Sequence, residues 1–159
     1  MSRDYMLRMI EQIAAMLARI LAKKQAGQIA EARSEAENLS VQNIGLTLSE
    51  LKRLSPEAVA QLLDKMGGLR TIRALTLAEL LLVDAEMNEA DQIPNQSLSN
   101  YVHAFCLIAD EVDKLGKEEQ AFYRAKLDLL ADRLGDLREH PYIKPRLRDY
   151  GTSKKATGG

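Results

Sequence analysis

Thr71-Ile72-Arg73-Ala74-Leu75-Thr76-Leu77-Ala78-Glu79-Leu80-Leu81-Leu82-Val83-Asp84-Ala85-Glu86-Met87-Asn88-Glu89-Ala90 is the stretch that decides the fold. Wound as a helix, its Ile72, Leu75, Leu77, Leu80, Leu81, Leu82, Val83 and Met87 leave it apolar almost all round. A helix with so little polar face has to be enclosed by others, so residues 71–90 are expected to form the central helix of a helical protein. Strand alternation is found nowhere in the chain, and the fold class read from it is all-α.

Working outward, Ile93-Pro94-Asn95 interrupts the pattern. A helix follows from about Gln96 to Leu115, with its stripe at Leu98, Tyr101, Val102, Phe105, Ala109, Val112 and Leu115. Gly116 stops it, and a last long helix carries Phe122, Tyr123, Leu127, Leu130, Leu134 and Leu137. Upstream, Gly67-Gly68 ends a helix opened by Ser55-Pro56-Glu57, where Pro occupies a first-turn position that has no use for its missing N–H. Thr47-Leu48-Ser49-Glu50 has the form of a capping box and starts a short helix to about Leu54. These two short helices read as a connector.

The first helix is predicted over 3–25, with Met6, Met9, Ile10, Ile13, Leu17, Ile20 and Leu21 at three- and four-residue steps. Leu7, Ala14 and Ala18 widen its apolar surface beyond what one hairpin partner covers. Gly27 breaks it, and a second helix carries Ile29, Ala32, Ala36 and Leu39 towards Asn43-Ile44-Gly45. So short a link makes the two antiparallel neighbours.

Composition agrees. The chain has 159 residues, 46% of them hydrophobic, with two Phe, five Tyr and no Trp. Its core must come from Leu, Ile, Met and Ala, which favour helices over sandwiches. Twenty-two Lys and Arg face 23 Asp and Glu, a balance that points to neither nucleic acid nor membrane as the main partner. A single Cys106 rules out an intrachain disulfide framework. Arg8, Glu11, Gln12 and Arg19 interrupt the first apolar run, so it suits neither a signal peptide nor a membrane span, and a cytoplasmic location is expected.

Two turns share a pattern, Gly27-Gln28-Ile29-Ala30-Glu31-Ala32 and Gly116-Lys117-Glu118-Glu119-Gln120-Ala121. Both resemble the turn inside a tetratricopeptide (TPR) unit, where Gly takes positive φ and a small Ala lets the next helix pack closely. Their separation is no simple multiple of the 34-residue repeat. More broadly, Arg3-Asp4-Tyr5-Met6-Leu7-Arg8-Met9-Ile10-Glu11-Gln12, the capped short helices, Leu77-Ala78-Glu79-Leu80-Leu81 and the Gly116 turn resemble a small uncharacterised bacterial family of TPR-like helical-hairpin proteins. The resemblance covers about residues 1–140 and departs at Asp91-Gln92-Ile93-Pro94, where another Gly turn is expected. It implies about six to seven helices in stacked, degenerate hairpins over 1–140. It implies no activity. Residues 141–159, punctuated by Pro141, Pro145 and Gly151, read as a basic, disordered tail.

Catalytic equipment is sparse. His103 and Cys106 share a helix face, but a structural zinc site needs four ligands and His140 has no companion. Cys106 is read as a packing thiol. Asp84, Glu86, Asp110, Glu111 and Asp113 lack the Glu-x-x-His spacing of di-iron bundles and are read as a solvated face. Gly67-Gly68 lacks the Gly-Lys-Ser/Thr of a phosphate loop, and no nucleophile elbow is present. No cofactor or metal is therefore expected.

The surface singled out for a partner is the row Arg8, Gln12, Arg19, Lys23, which could hold carboxylates of a bound peptide. Three readings stand. One is a non-catalytic adaptor binding a protein or peptide, including a second copy through the wide apolar face of the first helix. Another is a ligand carrier or enzyme with a pocket between helices near His103, Tyr101 and Tyr123. The third is weak nucleic-acid binding through the tail, where six bases between Arg138 and Lys155 face two acids.

Overall fold

Local signals place the helix ends. Thr47 accepts from the Glu50 amide at 3.1 Å while the Glu50 carboxylate takes the Thr47 N–H, completing the capping box. Ser55 caps the next helix through the Ala58 amide, with Pro56 in its first turn. Gly45, at φ +81°, ends a helix by donating to the Val41 carbonyl. Gly27 is also at φ +81°, and the Gln28 N–H reaches back to the Lys23 carbonyl at 2.9 Å, a Schellman closure.

The resulting computed structural model describes residues 3–66, 69–90, 94–135, 139 and 141–150. Its elements are α1 (Arg3–Gln25), α2 (Ile29–Ile44), α3 (Leu48–Lys52), α4 (Pro56–Asp64), α5 (Arg70–Ala90), α6 (Pro94–Glu111) and α7 (Lys117–Leu134). A 3-10 turn, Val112–Lys114, tightens the end of α6, and a short α8 spans 144–150. All regular structure among the described residues is helical. The Gly67-Gly68 stop and the Asp91-Gln92-Ile93 link lie outside those residues, as does Leu137.

Side-chain pairings fix the helix directions. Lys24 of α1 meets Glu86 of α5 at 3.2 Å, and Leu17 lies alongside Glu79, so α1 and α5 run parallel. Glu79 and Glu89 of α5 meet Lys126 and Arg133 of α7, so α7 runs the same way. In the opposite direction α2 sets Arg33 against Asn88 and Asn43 against Arg73. For α6, Asn100 faces Asp84 and Glu111 faces Thr71. The helices form two layers, α1, α5 and α7 in front and α2 and α6 behind, with α3 and α4 packed on α6, and α8 tied to α4, α6 and α7 through Arg146 and Tyr150. Leu75, Leu77, Leu80, Leu81 and Met87 of α5 are fully buried, which makes it the central helix. Leu98, expected in the α6 stripe, is exposed instead.

Two expectations are corrected. The Gly-x4-Ala turns are not equivalent. Gly116 sits at φ −70°, ordinary extended backbone, and opens α7 instead of closing a helix. Its Ala121 is exposed, whereas Ala32 is fully buried. Gly27 leads from the front layer to the back, and Gly116 from the back to the front.

The second correction concerns residues 141–150, read as part of a tail. Over 144–150 the chain is helical, Ile143 is 0% exposed and Tyr150 is buried. The Tyr150 hydroxyl donates to Asp128 at 2.9 Å or to the Arg124 carbonyl at 3.1 Å. Arg146 pairs with Asp110 and Glu57. Residues 151–159 lie outside those described.

Candidate functional site: a groove between α1 and α7

Among the residues of α1 whose burial is described, 7–25, only Ile13 and Ile20 are buried, so one helix partner on each side leaves much of its apolar surface open. Across α5, helix α7 exposes Phe122 (55%) and Leu129 (65%). Between these walls lies a groove floored by Glu79, Leu82 and Val83 of α5. It has two compartments that share Leu17 and Glu79. The first, about 350 Å³, is lined by Leu7, Ile10, Ile13, Ala14 and Leu17 of α1 against Phe122 and Tyr123 of α7. The second, about 310 Å³, continues past Leu21 and Leu82 to Tyr101, Leu129, Leu130 and Arg133.

Polar groups punctuate the apolar lining. At the junction Glu79 pairs with Lys126 and is hydrogen-bonded by the Tyr123 hydroxyl. Burial, then the neighbouring Glu79, pushes the Tyr123 phenol up from its ordinary value. The Lys126 ammonium also lies 4.8 Å from the centre of the Phe122 ring. At the far end Arg133 donates to the Tyr101 hydroxyl at 2.7 Å, and that hydroxyl donates to Glu89. Burial and the hydrogen bond to Glu89 push Tyr101 up to about 12, so it stays a neutral donor at physiological pH.

The row Arg8, Gln12, Arg19, Lys23 is not part of this groove. At about 100° per residue it falls roughly opposite Ile10, Ile13 and Leu17. Arg8 and Gln12 are exposed, and Arg19 and Lys23 both hold Glu35 of α2, at 3.2 and 3.3 Å. Nor do His103, Tyr101 and Tyr123 share a pocket. Tyr123 and Tyr101 line different compartments, while His103 faces a separate cavity of about 10 Å³ behind α5.

His103 is buried beside the backbone of Lys52 and Leu54, and its Nδ1 has no hydrogen-bond partner among the described residues. Desolvation, the largest influence, holds its pKa below the ordinary 6.5, so it is neutral at pH 7. Burial pushes the neighbouring Cys106 thiol up to about 12, and its Sγ lies 3.8 Å from the Tyr142 carbonyl. Such a thiol is not an activated nucleophile. Among the described residues no group of three or more His, Cys, Asp and Glu is placed to hold a metal ion.

The carboxylates read as a solvated face divide. Glu86, Asp110 and Asp113 are exposed, but Asp84 and Glu111 are buried. Asp84 accepts from Lys52 and from Asn100, each at 2.8 Å, with Arg33 at 3.8 Å, which joins α2, α3, α5 and α6. Glu111 accepts from Arg70 at 2.8 Å, Thr71 at 3.0 Å and Lys114 at 2.9 Å. Each is a satisfied buried carboxylate that fixes helix packing.

Spacing alone does not separate a buried acid from a solvated one, and it gave no sign of Phe122 and Leu129 as groove walls. The excess apolar width of α1 was the one signal in the sequence. Comparison of the chain with protein-family models, with curated proteins and with solved structures returned no significant match. No helix among the described residues is long and apolar enough to cross a membrane.

Proposed function

We propose that this protein is a non-catalytic interaction module that holds an amphipathic helix of a partner protein in the groove between α1 and α7. The single observation behind this reading is the open apolar channel with Phe122 and Leu129 on its wall. A partner in an apolar channel must satisfy its own backbone hydrogen bonds, which a helix does and an extended strand does not. Three parallel helices also offer ridges and grooves of the kind helices pack against. The layered plan is of the kind the TPR-like reading expects, with the partner lying against one layer of helices.

The test is selection of displayed helical peptides on the immobilised protein, followed by titration against Phe122→Asp and Leu129→Asp. Both positions are exposed, so the variants should keep their helicity. Enriched peptides should bind the wild-type protein and lose about tenfold or more in affinity on either substitution. Equal binding to all three proteins would refute the groove as the site.

A further inference from the structure

The end of the groove formed by Leu7, Ile10 and Phe122 also carries four carboxylates, those of Glu11, Glu79, Glu118 and Glu119, and no cation among the described residues lines it. Two of the four are buried and they differ. Glu79 is matched by Lys126. Glu119 is 8% exposed, and neither of its carboxylate oxygens has a hydrogen-bond donor among the described residues. The other buried carboxylates, Asp84 and Glu111, each hold at least one cation.

The start of α7 favours acids through the helix dipole, which accounts for an exposed Glu118. It does not account for a carboxylate enclosed beside an apolar channel, a costly arrangement unless a counter-charge arrives. The opposite end of the groove is built differently. There Lys126 and Arg133 line the second compartment together with Glu79 and Glu86. The groove therefore has an acidic end at the start of α7 and a charge-balanced stretch towards its finish.

We propose that the groove selects a helix carrying a lysine or arginine in its N-terminal part, and that Glu119, with Glu11 and Glu118, receives that cation. The helix then runs parallel to α1 and α7. Its N-terminus, the positive end of its dipole, lies over the acids, and its C-terminus lies towards Arg133. This rests on the groove reading and specifies the partner's chemistry and direction.

The experiment compares peptides from one displayed helical library selected on the wild-type protein and, separately, on Glu119→Gln. Wild-type selection should enrich Lys or Arg on the apolar face in the N-terminal third. Replacing that base by norleucine should weaken binding about tenfold to wild type and by clearly less to Glu119→Gln, where only Glu11 and Glu118 remain. A nitroxide at the peptide N-terminus should broaden resonances near Phe122 and not those near Arg133.

Glu119→Gln should melt no lower than wild type, which separates lost recognition from lost folding. Groove-dependent peptides without a base, or a label that broadens the Arg133 end, would overturn this proposal and leave the groove reading standing. No peptide sensitive to Phe122→Asp would end both. A dimer at micromolar concentration that Phe122→Asp dissociates would place a second copy in the groove and overturn the partner proposed.

Discussion

His103 illustrates how a buried side chain ties stability to pH. Its folded pKa lies below the ordinary 6.5 because burial disfavours the imidazolium. The unfolded chain therefore takes up the proton first. The contribution is complete above about pH 6.5 and is lost as pH falls below that value towards the folded pKa. Urea midpoints at pH 7.5 and 5.5 should separate more for wild type than for His103→Gln. Equal separations would mean that His103 titrates no differently in the folded chain. His103 and Cys106 were legible as neighbours on one helix face, but their environment was not. The backbone of Lys52 and Leu54 reaches His103 from the connector, and the Tyr142 carbonyl reaches Cys106 from beyond α7.

At the scale of the elements, the ion pairs divide into those that pin helices and those that decorate them. Asp84 joins four helices through buried contacts, so Asp84→Ala leaves Lys52 without its counter-charge and should cost about 3–5 kcal/mol. Glu86, two residues further on and on the opposite side of α5, meets Lys24 at the surface, and Glu86→Ala should change stability by about 0.5 kcal/mol or less. Denaturant titration of the two variants checks the contrast, and similar losses would contradict it. The elements themselves were largely legible. The apolar run of α5, the Thr47 capping box and the Ser55-Pro56 start each act locally, and each is observed. Residues 144–150 were missed because Pro145 reads as a breaker. It sits in the first turn of α8, where a missing N–H costs little.

On the scale of the whole molecule, α8 is tied to α4, α6 and α7. Removing residues 141–159 strips Ile143 and Tyr150 from the core and leaves Asp110 without Arg146. Ile143→Ala alone should cost about 2–4 kcal/mol, and the truncation more, as read from thermal melts. An unchanged melting temperature would return 141–150 to the status of a tail. The groove was hardest to read from the sequence because it belongs to no single helix. Its walls are two helices about a hundred residues apart along the chain, and nothing in either marks the space between them. The enclosed Cys106 has a practical consequence here. Since the chain's one native thiol is buried and pushed up to about 12, a second cysteine at Leu129 would be the only one to react with a maleimide dye. Fluorescence from that single site would then report, without background, when the channel fills.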